Sequence, residues 1–591
     1  MTMGVRSVDI PGIYFDSPVR RSNAVRIDTR TVAGFVGVTE KGPVNAPQVI
    51  RDFREYQTIF GGFSSPGALA HAVYGYFSAG GAECVVVRVA SREESGGVAP
   101  ACLMVPDQRG KTSFVMEAFS PGVWGNYITV RLWYGVDRAA RVSQITPEGG
   151  VCHADQEIGL SPGMWVRLRC GGESCLREVK KVVEGRCTVR YPVPESFRPP
   201  GGGVGIEVLR LNLSISNGKK TEDYLDVSLS PEDPRYLERL VNDNSGLVRV
   251  SNVRKHSFPC EVPTTTLSGG RDGVAGLQPG DFIGWYRGLE NHGGIGSFQA
   301  FPQVKVLCAP DATLLVRSGG GEGDAGKTKG LDHLFAVQKA LVDQAESFPD
   351  RFALLDAPPL EPGMELARYV KKFDSAFAAM YYPRVRMLDP EDQGSVALLG
   401  VPVSGHVAGI YARTDREKGV FHAPANQFLP GVIALDSPLE KGEIHFLYSL
   451  GLNTLSPVPG RGIKIWGART LSSDTEWRYI NVRRTFSRIL TALKEGTHWA
   501  VFEPNTSSLR KRLTRHVVAF LIDLWRKGYL AGAVAEEAFF VRCDEELNPP
   551  ENRDAGIVTV QVGVCIARPA EFIVVTLCAE REHVKVTLDE N

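Results

Sequence analysis

Strand-length apolar runs alternating with helices that stop on glycine constrain this chain more than any other feature. Thr31-Val-Ala-Gly-Phe-Val-Gly-Val38 is a buried-strand run closed by Lys41-Gly42-Pro43. A helix over about Arg51–Phe60 follows, ended by Gly61-Gly62, then a second over Ala68–Phe77, ended by Gly80-Gly81, and a strand at Cys84-Val-Val-Val-Arg-Val. Glycine just past the last turn is a helix stop, because it takes the left-handed backbone at no steric cost. Strands alternating with helices argue for an α/β layer with a largely parallel sheet.

That rhythm breaks at Ser95-Gly96-Gly97. From residue 96 to about 235 the apolar residues alternate (Ile128, Val130, Leu132; Leu209, Leu211, Leu213, Ile215) with no convincing helix, the pattern of a β-rich insertion. Helix and strand alternation returns with Arg235–Val241, Val304–Ala309, Leu331–Ser347 and Phe352–Asp356. After Pro430 come helices at Arg483–Lys494 and Ser507–Lys527, the latter stopped by Gly528, then strands at Gly556–Ala567 and Glu571–Ala579. Residues 1–30 carry Val5, Ile10, Ile13 and Phe15 around Pro11-Gly12 without a helical period, as an extended arm would. Val584, Val586 and Leu588 alternate with Lys585 and Thr587 in a final strand that has no obvious partner left in the sequence. The expected fold is therefore a multidomain α/β (α+β) chain with arms at both ends. Its parts are an extended arm (1–30), an α/β core (31–95 and 236–430) interrupted by the β-rich insertion (96–235), a C-terminal domain (431–580) and a C-terminal strand arm (581–591).

Composition narrows the classes of function. At 591 residues the chain has room for three or four domains of ~150 residues. Its 67 Lys and Arg balance 67 Asp and Glu, so no summed basic field is available to hold a nucleic acid. The longest strongly apolar run, Phe572–Ala579, is far short of the ~20 residues that span a bilayer. Asp9, Pro11 and Asp16 stand where a secretory leader would be apolar, so neither export through a leader nor membrane insertion is expected. Eleven cysteines without a CxxC pair fit reduced thiols and cytoplasmic synthesis. Cys152, His153, Cys170, Cys175 and Cys187 cluster in the insertion, but four residues separate Cys170 from Cys175 and no second tight pair follows, so no metal is expected.

Few motifs suggest catalysis. Gly321-Glu-Gly-Asp-Ala-Gly326-Lys327-Thr328 fits the phosphate-loop pattern, with Asp356 ending a later strand where a magnesium ligand would sit. An NTPase using Lys327, Thr328 and Asp356 is thus the alternative reading. Against it, Val304–Ala309 ends well before the loop, and Glu322 and Asp324 would face the phosphates. Ser404 in Pro402-Val-Ser-Gly-His406 is no nucleophile elbow. His422 reads equally as a packed loop histidine. The helix from Ser507 is more informative. Leu509, Leu513, Val517, Phe520, Leu521 and Leu524 form its apolar stripe, while Arg510, Lys511, Arg512 and Arg515 crowd the first turns, where the helix dipole disfavours cations. A partner outside the chain could compensate that cost.

A series of short runs punctuates the chain: Gly34-Phe-Val-Gly-Val with Lys41-Gly42-Pro43, Ser120-Pro-Gly-Val-Trp124-Gly-Asn126, Asn244-Ser245, Leu267-Ser-Gly-Gly-Arg-Asp-Gly273 and Tyr382-Pro383. It continues through Val401-Pro-Val-Ser-Gly-His-Val-Ala-Gly-Ile-Tyr-Ala-Arg-Thr-Asp415, Gly419-Val-Phe-His-Ala-Pro-Ala-Asn426, Leu452-Asn-Thr-Leu455, Trp466-Gly-Ala-Arg-Thr470, Tyr479-Ile-Asn-Val-Arg-Arg484 and Phe502-Glu-Pro-Asn505. On these runs, over most of its length outside the insertion, the chain resembles the contractile tail sheath proteins of phages and related injection systems. Val403 and Arg384 depart from the family pattern, where a second Pro and a Trp are frequent. The resemblance implies a structural, non-enzymatic protomer without a cofactor, made in the bacterial cytoplasm and found in a virion tail or injection particle. It implies six-fold rings stacked in a helical tube around an inner tube, with baseplate and tail-terminator or cap proteins as further partners. Val5, Ile10, Ile13, Phe15, Val584, Val586 and Leu588 would then make arm contacts that add strands to neighbouring copies. Arg510, Lys511, Arg512 and Arg515 would face inner-tube carboxylates, and the insertion would lie on the outer surface. Contraction from a metastable extended state would do the work.

Overall fold

The computed structural model describes residues 25, 27–63, 67–91, 97–146, 151–154, 159–183, 186–197, 203–289, 291–317, 324–388, 398–551, 557–571, 574–579 and 584–589. Val5, Ile10, Ile13 and Phe15 lie outside them.

The chain is a mixed helix-and-sheet protein built on one eight-stranded sheet. Its strands are β1 (Val32–Gly37), β2 (Gln48–Ile50), β3 (Cys84–Arg88), β4 (Val304–Cys308), β5 (Phe352–Asp356), β6 (Ala378–Tyr382), β7 (Leu452–Val458) and β8 (Gly462–Trp466), in the spatial order β2-β3-β1-β4-β5-β6-β7-β8. The six strands from β3 to β7 run parallel, and only the two edge pairs, β2 with β3 and β7 with β8, are antiparallel. A parallel sheet must be covered on both faces, which is why these strands are continuous apolar runs. Alternation sends Phe35, Leu354 and Tyr381 into one core and Val36, Leu355 and Tyr382 into the other. The first face is covered by α1 (Phe53–Phe60) and α2 (Leu69–Ser78), the second by α3 (Asp324–Ser347). As the glycine stops predict, α1 ends at Gly61, with φ of +89°. The expected helix at Leu331 starts earlier, at Asp324.

Further on come α4 (Ser404–Glu417), α5 (Lys441–Ser449), α6 (Ile480–Gly496) and α7 (Ser507–Arg526). The last two form a separate core through Ile489, Val517, Phe520, Leu521 and Leu524, closed by Val25 from the opposite end of the sequence.

The β-rich stretch forms a sheet of its own. Strands Thr129–Ile145, Val151–Ala154, Arg186–Val189, Glu173–Val183, Trp165–Cys170 and Val204–Ser216 pair in succession, and the last pairs back onto the first, so the circuit closes. Val142, Val166, Leu168, Val179, Val204, Ile206 and Val208 fill its interior. The same sheet takes in Val262–Thr266, and Val248–Ser251 joins a smaller one, so β structure continues beyond residue 235.

One expectation needs correction. The terminal strand does have a partner: β10 (Val584–Asp589) pairs antiparallel with β9 (Val574–Ala579), Val586 opposite Leu577 and Leu588 opposite Val575. Among the described residues this two-stranded ribbon pairs with no third strand.

Candidate assembly surfaces

The sequence runs quoted above meet in space as joints. Asn126 and Gly270 exchange two hydrogen bonds: Nδ2 donates to the Gly270 carbonyl at 3.1 Å and Oδ1 accepts from the Gly270 N–H at 2.8 Å. The Val123 N–H donates to Asp272 at 2.7 Å. Arg88, at the end of β3, is buried and donates to the carbonyls of Gly42 and Pro121, both at 2.8 Å, while Ser120 Oγ accepts from the Gly42 N–H. The Arg88 and Ser120 contacts tie the insertion to the main sheet.

A second joint locks the C-terminal helices to the front of the sheet. Arg484 on α6 donates to both carboxylate oxygens of Asp415 on α4, one at 3.0 Å, and both side chains are buried (5% and 0% exposed). Thr31 donates to the same carboxylate, and Arg488 donates to the Thr31 hydroxyl at 2.9 Å and to the Arg30 carbonyl at 3.0 Å. Burial pulls the Arg488 guanidinium below its ordinary value, Asp415 opposing the shift. Three distant segments are thus held by one carboxylate and two cations.

The root of the terminal ribbon is clamped similarly. Arg469 grips Glu571 with Nη2 at 2.6 Å and Nε at 3.0 Å, its guanidinium lies 4.0 Å over the Tyr448 ring of α5, and the Tyr448 hydroxyl also donates to Glu571. Burial alone would raise the Glu571 carboxyl; the bonds from Arg469 and Tyr448 outweigh it and hold it below the usual glutamate range.

On α7, Thr506 caps the first turn by accepting from the Leu509 N–H at 3.3 Å, and the six expected apolar residues are buried. The four basic residues divide. Arg510 is 6% exposed and turned into the protomer, so it is not available to a surface partner. Arg512 pairs with Glu503 at 3.1 Å and lies 4.6 Å over the Trp499 ring. Lys511 and Arg515 are exposed, one turn apart, and neither has an acidic partner among the described residues.

The nucleotide-binding alternative finds no support. The element before the glycine-rich stretch is the short helix Leu314–Arg317, whereas a phosphate loop needs a strand end to launch it. Lys327 pairs with Glu365 at 3.0 Å. Asp356 is buried and accepts the Ser404 N–H at 2.9 Å, capping α4; burial pushes its carboxyl up to about 6. Ser404 and His406 are buried beneath α2, and burial pulls His406 down to about 4. In the insertion, Cys170 and Cys175 lie on adjacent strands out of register, Cys187 is buried, and the side chains of Cys152 and His153 are outside the described residues.

Sequence reasoning missed the Arg469–Glu571 clamp, although Arg469 stood inside a quoted run. It also missed Val501, Phe502 and Ile557 as exposed apolar groups beside α7. Pro504 and Asn505, a turn signal before a helix, could have marked Phe502 as a loop residue.

Residues 336–471 match the phage tail sheath protein central domain, and residues 472–579 the phage tail sheath C-terminal domain. A Pseudomonas aeruginosa protein assigned as a prophage major tail sheath protein is 30% identical over 243 residues, 40% of this chain and 60% of the relative. The tail sheath protein of Burkholderia phage BcepMu is 29% identical over 199 residues, 32% of this chain and 40% of the relative. The chain therefore spans less than two thirds of the length of these relatives. Among solved structures, a sheath tail protein from Desulfitobacterium hafniense superposes with TM-score 0.53 at 11% identity, covering 90% of this chain and 94% of that one. The anti-feeding prophage helical sheath in its contracted state superposes with TM-score 0.50 at 19% identity, covering 97% and 100%.

Proposed function

We propose, on the match of residues 336–579 to the central and C-terminal domains of phage tail sheath proteins, that this chain is the protomer of a contractile sheath. Copies stack as six-fold rings around an inner tube and contract from a metastable extended state, driving the tube through a target envelope. The partners are further copies of this chain, the inner-tube protein, the baseplate, and a terminator or cap. The protomer is made in the bacterial cytoplasm and works in a phage tail or injection particle.

The observation that carries this reading is the β9–β10 ribbon. An isolated hairpin is marginally stable in water, and both edges of this one are open among the described residues. Strands supplied by neighbouring copies, the 1–30 arm among them, would complete it; head-to-tail contacts that do not close then generate a helical tube. The Asp415–Arg484 joint supports the mechanical side, since it makes the C-terminal helices and the main sheet one unit able to transmit motion. Lys511 and Arg515 supply the tube-facing charge in this reading, without Arg510. Contraction then runs on energy stored at assembly, with no nucleotide turned over by this chain.

Deleting Val584–Asn591 tests the reading. Truncated protomers should stay folded and soluble by circular dichroism yet sediment as small species under conditions where the full chain forms long polymers. Long tubes from the truncated chain would overturn the ribbon's role.

A further inference from the structure

Between α6 and α7 the chain passes through Val501-Phe502-Glu503-Pro504-Asn505. Phe502 is fully exposed and sits at φ of +68°, a left-handed backbone that a bulky side chain adopts only when its surroundings impose it. Those surroundings are visible. Glu503 is held by Arg512, whose guanidinium also lies on Trp499. Thr506 caps α7, and Asn505 Nδ2 donates to the Ile557 carbonyl at 3.1 Å. Residues on both sides of Phe502 are therefore fixed, and among the described residues nothing covers the ring. Val501 and Ile557, 54% and 51% exposed, extend the apolar patch. Lys511 and Arg515 stand on the first turns of α7, beside the Arg512 that fastens this loop.

We propose that Phe502, with Val501 and Ile557, is an apolar knob that seats in a recess on the inner-tube wall, while carboxylates at the rim of that recess meet Lys511 and Arg515. The inference rests on reading the α7 face as tube-facing, and deepens it by naming the partner's chemistry: an apolar socket with an acidic edge. The two parts divide the work. Charge steers association and weakens with salt, whereas burial of an aromatic ring does not weaken with salt. A strained backbone at Phe502 fits this division, because a ring fixed in advance loses little freedom when it docks.

The test is co-sedimentation of full-length sheath variants with preformed inner tubes of the same particle, from low salt to about 1 M NaCl. Phe502→Ala should lower per-subunit capture roughly tenfold or more, and should abolish it at high salt, where the unmodified protein still binds. Phe502→Gly should lose capture equally while melting at or above the unmodified temperature, since glycine adopts positive φ freely; this separates contact from folding. Lys511→Glu with Arg515→Glu should lose low-salt capture. If that double variant fails and Phe502→Ala binds normally at every salt, the knob is wrong and the tube-facing helix stands. If both bind normally, the helix face does not meet the tube and the knob falls with it. If Phe502→Ala blocks polymerisation without tube, its partner is a second copy, which also overturns the proposal.

Discussion

At the scale of single residues the strongest commitments are buried charges. Asp415 neutralises Arg484 directly, bonds Thr31, and so holds Arg488. Asp415→Ala strands two buried guanidiniums and is expected to cost about 3–5 kcal/mol of stability, read from denaturant unfolding. Asp415 and Arg484 both stood inside quoted sequence runs, but nothing in their spacing says that they meet. Arg510, expected at a surface, is buried for a physical reason. It lies about 100° round the helix from Leu509, inside the apolar stripe between Val517 and Leu521, and tertiary packing covers it. Arg510→Glu is therefore expected to lower the melting temperature, while Lys511→Glu with Arg515→Glu leaves it unchanged and reduces tube binding. Two further buried acids give a pH signature. Burial raises Asp356 to about 6 and Asp311 to about 7, while hydrogen bonds from the amides of Ser404 and Val38 oppose it. Both values exceed the ~3.9 of an unfolded aspartate, so the folded chain holds protons that the unfolded one releases. Their contribution is complete below about pH 4 and is lost as pH rises through about 6 to 7. Asp356→Asn, which keeps an acceptor for the Ser404 amide, should flatten the fall in stability between about pH 4 and 6, by up to about 3 kcal/mol.

At the scale of elements, the parallel strands and the glycine-stopped helices were legible because each is set by local chemistry: uninterrupted apolar runs and a residue that tolerates positive φ. The β9–β10 pairing was not. The residues between the two strands, Glu580-Arg-Glu-His583, include no Asn-Gly or Asp-Gly turn signal, so the strands read as independent. The Gly326-Lys327-Thr328 match failed in the opposite sense, since the pattern is present and the strand that should launch it is a helix. The Arg469–Glu571 clamp governs how firmly the ribbon is rooted. With the Glu571 value held below the ordinary glutamate range, the clamp's contribution is present above the unfolded value of about 4.3 and is lost as pH falls through the folded one. Glu571→Gln should speed proteolytic removal of the last twenty or so residues several-fold near neutral pH, with the melting of the main body unchanged. Equal cleavage rates would mean that the ribbon is rooted elsewhere.

At the scale of the molecule, two large sheets of different character share one chain. A parallel sheet covered by helices on both faces carries the joints, and the antiparallel circuit of the insertion hangs from it through Arg88 and Ser120. The insertion's β character was legible from alternation. Its closure was not, because closure depends on the pairing of Val204–Ser216 back onto Thr129–Ile145, a long-range choice that alternation leaves open. The central claim is that this protomer polymerises around an inner tube. Electron microscopy of the full-length chain co-expressed with that tube tests it most directly. The account predicts wide hollow helical sheaths or stacked six-fold rings enclosing the tube. Bare tubes beside discrete globular particles, persisting across salt and protein concentration, would contradict it.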